Sequence, residues 1–356
     1  MKRHNFSAGP AILPQEVLDG MAEAIKSYTK SGLSLLEVSH RSPEISAMVE
    51  ETRLLVREIL ELSDEHEVLF LGGGATTQFA MMPMNILPAD GSAGYCDTGT
   101  WTNKAIKEAR NFGLIDVAGS SQDDGYKFIP KDFRFDPDWF YFWYCSNNTV
   151  YGTQSHSIPE TEVPLVVDMS SDIFSRKIDA NKFDAIIAGA QKNMGPAGVT
   201  LVIIKKSLLN ETERAIPDIF NYEKHIAKKS MLNTPPVLSI YGCNLTLKWI
   251  KKIGLGEIDQ RNKEKAQILY TEIDHNPMFK GRVAKEDRST MNVTFDITNE
   301  DLFESFITFA DNYGIEGIRG HRSVGGYRAS LYNAMEKDSP LMLVKAMQDF
   351  AWRFNK

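Results

Sequence analysis

Short apolar runs recur along the first two-thirds of this chain, at 67–71, 92–96, 139–145, 164–167, 185–190 and 199–204, and several of the gaps between them are of helix length. Runs of that length bounded by turn residues read as strands, and strands alternating with helices build an α/β domain around a largely parallel central sheet. The run at 67–71 ends in three glycines and leads into a helix-like stretch through Asn85, a strand–turn–helix unit. Upstream, residues 14–30 read as a helix with Pro14 in its first turn and Gly32 just past its end. Ser42 and Pro43 open a second, with Ile45, Met48, Val49, Val56, Ile59 and Leu60 at helical spacing.

After Pro235-Pro236 a long helical stretch runs to Ile253, and Gly254-Leu255-Gly256 breaks it. The pattern then restarts as helix 257–274, strand 291–297, helix 299–313, strand 326–332 and helix 340–354, which reads as a separate, smaller α/β domain. A total of 356 residues exceeds the usual size of one hydrophobic core, so one large and one small domain are expected.

A net charge of −7 gives no global attraction for nucleic acid or anionic lipid, so any anion must be captured by a local cluster of positive groups. Cys96, Cys145 and Cys243 are widely spaced and match no zinc pattern; they fit a reducing cytoplasm, and no metal is expected. The N-terminus lacks the apolar core of a secretory signal, and no run of about 18 apolar residues suggests a membrane span.

The chemistry gathers at strand ends. The run at 185–190 delivers Gln191 and Lys192, and a partly desolvated lysine at the carboxyl end of a parallel strand has a lowered pKa and becomes a nucleophile. A surface lysine in a loop is the plainer reading of any one lysine. Asp168 ends the run before it, and the interval to Lys192 leaves room for one crossover, so both side chains can enter one crevice. Alone, that aspartate could equally be a helix cap or a metal ligand; paired with a pyridinium nitrogen, it would keep the ring protonated as an electron sink.

Gly72-Gly73-Gly74-Ala75-Thr76 lets backbone approach an anion at a helix start, and it is neither a Walker loop nor GxGxxG. Trp101 could plug the surface or stack on a planar ring, and Thr149 lies at the same rim. Two His-Arg pairs, His40-Arg41 and His321-Arg322, stand near the two chain ends, with Arg328 after the second; they suit carboxylate and phosphate, or local salt bridges and caps.

These stretches, with Asn5-Phe6-Ser7-Ala8-Gly9-Pro10, Asp168-Met169-Ser170-Ser171, Asn233-Thr234-Pro235-Pro236 and Gly320-His321-Arg322-Ser323, come in an order that resembles the phosphoserine aminotransferase family over nearly the full length. That family belongs to the class V, fold type I (aspartate-aminotransferase-like) enzymes that use pyridoxal 5'-phosphate. The resemblance implies an N-terminal segment, 1–15, packed with the small domain, a large cofactor-binding domain, 16–254, and a small C-terminal domain, 255–356. It implies that Lys192 carries the cofactor as a Schiff base, that Asp168 pairs with the ring nitrogen, and that Trp101 stacks on the ring. Ala75, Thr76 and Gln191 would hold the cofactor phosphate, with Thr149 near the ring oxygen. It further implies a homodimer with shared sites, in which Asn233 and Thr234 reach the phosphate of the neighbouring cofactor and His40 and Arg41 face the neighbouring site. His321, Arg322 and Arg328 would complete the substrate pocket, Arg328 for the α-carboxylate. The implied substrates are glutamate and 3-phosphohydroxypyruvate, with the related four-carbon phosphorylated 2-oxo acid as a possible second acceptor. One departure is Ala75-Thr76, where some relatives carry arginine or another polar residue; backbone donors would suffice there.

Overall fold

The structure, a computed structural model, describes residues 2–30, 32–209 and 212–354. Strand β1 (His4–Asn5) comes first, then helices α1 (Gln15–Lys26) and α2 (Pro43–Ile59). The next segment alternates β2 (His66–Leu71), α3 (Gly74–Ile86), β3 (Ser92–Asp97), α4 (Thr100–Ala109) and β4 (Leu114–Ser120). Strands β5 (Phe142–Cys145), β6 (Leu165–Asp168), β7 (Ala185–Gly189) and β8 (Thr200–Lys205) follow, then α5 (Tyr222–Ala227), α6 (Val237–Ile253) and α7 (Leu255–His275). The chain closes with β9 (Phe279–Gly281), β10 (Asn292–Ile297), α8 (Phe303–Asp311), β11 (Ile315–Glu316), β12 (Tyr327–Ser330) and α9 (Asp338–Phe354).

Seven strands form one sheet in the order β2-β8-β7-β6-β5-β3-β4, in which β8 alone is antiparallel to its neighbours. The α/β class with a largely parallel sheet is therefore as the apolar runs indicated. Side chains alternate between the two faces of a strand, and both faces are covered. Phe142, Tyr144, Ile186 and Ala188 join the core beneath α2 and α6, whereas Tyr141, Trp143, Ala185 and Ile187 join the core beneath α3 and α4.

Helix α2 begins where expected because the Ser42 hydroxyl accepts from the Ile45 N–H at 3.2 Å and Pro43 fills the first turn. Helix α1 stops at Lys26, short of the expected position 30. Ser27 is extended, and the Tyr28 N–H donates to the Leu33 carbonyl at 2.7 Å instead of returning to the helix. Strand β4 escaped the sequence pattern because it is a sheet edge: Ala118 is its one buried residue, and Leu114 and Val117 are exposed. Between β6 and β7 the crossover is made of turns and a short 3-10 helix over Ala180–Lys182, not an α-helix.

A second sheet, antiparallel in the order β12-β10-β9, packs with α7, α8 and α9 around Leu269, Phe295, Phe306, Tyr327 and Phe350. The N-terminal segment is tied to this part of the chain. Strand β1 pairs with β11 in parallel, Phe6 enters the same core, and the Ser330 N–H donates to the Phe6 carbonyl at 3.2 Å. From there residues 8–11 pass over the ends of the large sheet.

Candidate active site

Because β3, β5, β6 and β7 run parallel, their carboxyl ends and the loops that follow share one edge of the sheet. A cavity of about 340 Å³ opens there, within the size range of small-molecule sites. Residues from both sheets, the start of α3 and the N-terminal segment meet in its wall.

Lys192 lies three positions beyond β7 and is 8% exposed. Its Nζ donates to Thr149 Oγ1 at 2.7 Å. Asp168, the last residue of β6, is 3% exposed, and its Oδ1 accepts from the Ser170 N–H at 2.8 Å. Among the described residues neither makes an ion pair within 4.0 Å. Burial holds the Lys192 amine below its ordinary value even though Asp168 pulls the other way. Burial likewise raises the Asp168 carboxyl, against the hydrogen bonds from Ser170 and the charge of Lys192. A buried acid and a buried amine thus border one cavity with no ion-pair partner among the described residues, which is costly unless a ligand supplies the missing partner.

At another wall, Gly73 and Gly74 adopt φ of 88° and 70°, a conformation that glycine tolerates and other residues resist. A Cβ at Gly73 would collide with the Thr77 hydroxyl. This turn releases α3 with no side-chain cap, so the backbone donors of its first turn are open where Gly74, Ala75 and Thr76 border the cavity. Trp101, in the first turn of α4, also borders it, and its indole N–H is buried without an acceptor. One helical turn on, the Lys104 Nζ stands 4.7 Å from the centre of the indole. Gln191 borders the cavity beneath the N-terminal segment, where the Ala11 N–H donates to the Gln191 carbonyl at 2.8 Å.

The second sheet contributes Arg328, on β12, and the loop before it contributes His321. Arg328 Nη1 donates to the Thr149 carbonyl at 3.3 Å, its Nε is buried without a partner, and burial lowers its pKa. The His321 pKa is lowered by burial first, then by the positive charges of Arg328, Arg322 and Lys104. Thr149 therefore joins the two halves: its hydroxyl meets the lysine and its carbonyl meets the arginine.

Arg322 is exposed and does not border the cavity. His40 and Arg41, just before α2, lie outside it, as do the exposed Asn233 and Thr234. Sequence reasoning placed no cysteine at the site, yet Cys145 is in the cavity wall at the end of β5. It is in register with Asp168, and its thiol donates to the Asn147 carbonyl at 3.3 Å. Burial pushes that thiol far above its ordinary value, so it is no nucleophile. Its position was available from sequence, since it ends the apolar run that precedes Asn147. Lys104 lies outside the cavity wall, and its spacing of three from Trp101 on a helix is the sequence signal for its contact with the indole.

The donor set fits a flat anionic heterocycle bearing an aldehyde, and pyridoxal 5'-phosphate has that chemistry: an amine for the aldehyde, an acid for the ring nitrogen, an indole for the ring face and an open helix start for the phosphate. Among the described residues no group of three His, Cys, Asp or Glu side chains could hold a metal ion, and no helix is long and apolar enough to cross a membrane.

Residues 3–339 match the model of the class-V aminotransferase family. The chain is 52% identical over 351 residues to a phosphoserine aminotransferase of Flavobacterium psychrophilum, covering 98% of this chain and 99% of that one. Among solved structures, one of a phosphoserine aminotransferase, described for radiation damage at its Schiff base, superposes with a TM-score of 0.96 at 42% identity, covering 99% of this chain and 100% of that one. A pyridoxal-phosphate-bound phosphoserine aminotransferase from Trichomonas vaginalis superposes with a TM-score of 0.92 at 35% identity, covering 98% of this chain and 100% of that one.

Proposed function

The chain belongs to the class-V aminotransferase family, and with that as premise we propose how its cavity works. It acts as a phosphoserine aminotransferase, moving the amino group of L-glutamate to 3-phosphohydroxypyruvate to give O-phospho-L-serine and 2-oxoglutarate. The observation that carries the reading is the buried Lys192 amine facing the buried Asp168 across a cavity whose far wall is cationic. Pyridoxal 5'-phosphate, when bound, supplies a ring that withdraws electrons from the substrate α-carbon.

The protein's part is binding, orientation and proton movement. Lys192 would hold the aldehyde, and its depressed pKa keeps the amine neutral and nucleophilic at lower pH than an exposed lysine allows. Once substrate occupies the site, the freed Nζ would take the proton from the substrate Cα and carry it to the carbon on the far side of the amino nitrogen. Thr149, already its hydrogen-bond partner, aims the amine. Asp168 would accept the ring N–H, and a cationic partner there would draw its raised pKa back down, keeping the carboxylate charged. The first turn of α3, with Ala75 and Thr76, and Gln191 would hold the phosphate, and Trp101 would cover the ring.

Arg328 takes the α-carboxylate that every substrate shares. His321 receives the distal anion, the phosphate or the glutamate side-chain carboxylate, and Arg322, outside the cavity wall, adds its charge from the same loop. The same reading assigns His40, Arg41, Asn233 and Thr234 to the cavity of a second copy, which makes the active unit a homodimer. Three free, buried thiols suit a cytoplasmic enzyme.

Mixing the purified, cofactor-loaded protein with glutamate should bleach its visible absorption, and 3-phosphohydroxypyruvate should restore it. Lys192→Ala should abolish both changes and lower turnover by ~10³ or more. Retained turnover in that variant would refute the lysine assignment, and faster transfer from alanine to glyoxylate would overturn the substrate assignment.

A further inference from the structure

Lys104 lies three residues after Trp101 on α4, so both side chains project from one face of the helix. Its ammonium stands 4.7 Å from the indole centre, a cation–π contact that restrains an otherwise mobile chain. Trp101 borders the cavity beside His321 and Arg328. Lys104 is exposed, makes no ion pair among the described residues, and does not itself enter the cavity wall. Its charge nevertheless reaches His321 together with those of Arg322 and Arg328. In a chain of net charge −7, this is an unneutralised cation held at the mouth of an anion pocket.

We propose that Lys104 is a specificity-determining residue that draws the phosphorylated 2-oxo acid to the site in preference to glutamate. The proposal rests on the reading that such an acid is the amino acceptor. Near neutral pH a phosphate monoester approaches a charge of −2, so with its carboxylate the acceptor carries about −3. Glutamate carries a net −1. Attraction to a single fixed cation scales with the charge it acts on, so removing Lys104 should change the logarithm of the capture rate about three times as much for the phosphorylated acid. A side chain that merely props the indole would affect both substrates alike.

The test compares wild type, Lys104→Gln, Lys104→Glu and Lys104→Arg, all loaded with cofactor, by kcat and kcat/KM for each substrate at low and high salt. Lys104→Gln should lower kcat/KM for 3-phosphohydroxypyruvate ~3–10-fold at low salt, with a smaller loss for glutamate and kcat nearly unchanged. Lys104→Glu should deepen the loss, Lys104→Arg should restore it, and salt at about 0.5 M should close the gap. Equal losses for both substrates, a loss confined to kcat, or a loss that survives high salt would overturn the proposal. A second readout needs no turnover: NMR titration of the His321 ring with and without inorganic phosphate. Lys104→Gln should raise the His321 pKa and weaken its response to phosphate; an unchanged titration and response would count against the proposal. If wild type responds to phosphate in this way yet does not turn over the phosphorylated acid, the substrate assignment fails and the cation's role stands.

Discussion

Lys265 provides a measurement with a definite sign. It is 2% exposed on α7, and its Nζ donates to the Leu331 and Tyr332 carbonyls, both at 2.8 Å. Burial, reinforced by the charge of Arg261, pushes its pKa from 10.5 down to about 7. The carbonyls it holds lie three and four positions after Arg328, just past the end of β12, and the next residue, Asn333, donates its N–H to Asn193 Oδ1 at 3.0 Å, beside Lys192. Between pH ~7 and ~10.5 the folded protein has released this proton and the unfolded chain has not, so stability climbs with pH at about 1.4 kcal/mol per pH unit. Below about 7 both states are protonated and the gain is absent. Across the whole window the linkage is worth roughly 5 kcal/mol. Lys265→Met removes it and adds a pH-independent cost of ~1–3 kcal/mol for each carbonyl left without its donor. Urea unfolding of both cofactor-loaded proteins, at one protein concentration and several pH values from 6 to 10, isolates the lysine, because other titrating groups cancel in the difference. Wild type should gain on the variant steadily above about pH 7. A difference that stays flat across the range would refute the argument that this amine is buried and neutral at alkaline pH.

Arg328→Leu should lower kcat/KM ~10–150-fold in both half-reactions, the value of a charge-assisted hydrogen bond to the α-carboxylate; a loss confined to the phosphorylated substrate would move Arg328 to the phosphate. Gly73→Ala places a Cβ against the Thr77 hydroxyl at a positive φ, at a cost of ~1–3 kcal/mol. Cofactor release by dilution and absorbance should become faster, and an unchanged dissociation constant would mean that the turn does not carry the phosphate. Mixing Lys192→Ala with Arg41→Ala subunits after denaturation and refolding should recover about a quarter of wild-type activity, since half the dimers would hold one intact site of two. No recovery would argue that Arg41 serves its own chain's cavity.

The buried strands of the large sheet and the chemistry at their ends are legible along the chain. Apolar runs at 164–167 and 185–190 dictate two buried strands, and Asp168 and Lys192 fall at or just past their ends, so the acid and the amine were legible as a pair. Ser42 and Pro43 set the start of α2 by local capping alone. Features that depend on neighbours were not written there. Strand β4 is a strand only because β3 offers it hydrogen bonds, and α1 ends early because Leu33 folds back to meet Tyr28. Cys145 enters the site through its register beside Asp168, and Lys104 touches it only through the Trp101 ring it covers. Tertiary structure alone decided that Thr149 would bridge Lys192 and Arg328, which stand 136 positions apart in the chain. Side-chain periodicity and capping are local, so they can be read along the chain. Desolvation, register and the meeting of two sheets are set by what packs from elsewhere, so they appear only once the chain has folded.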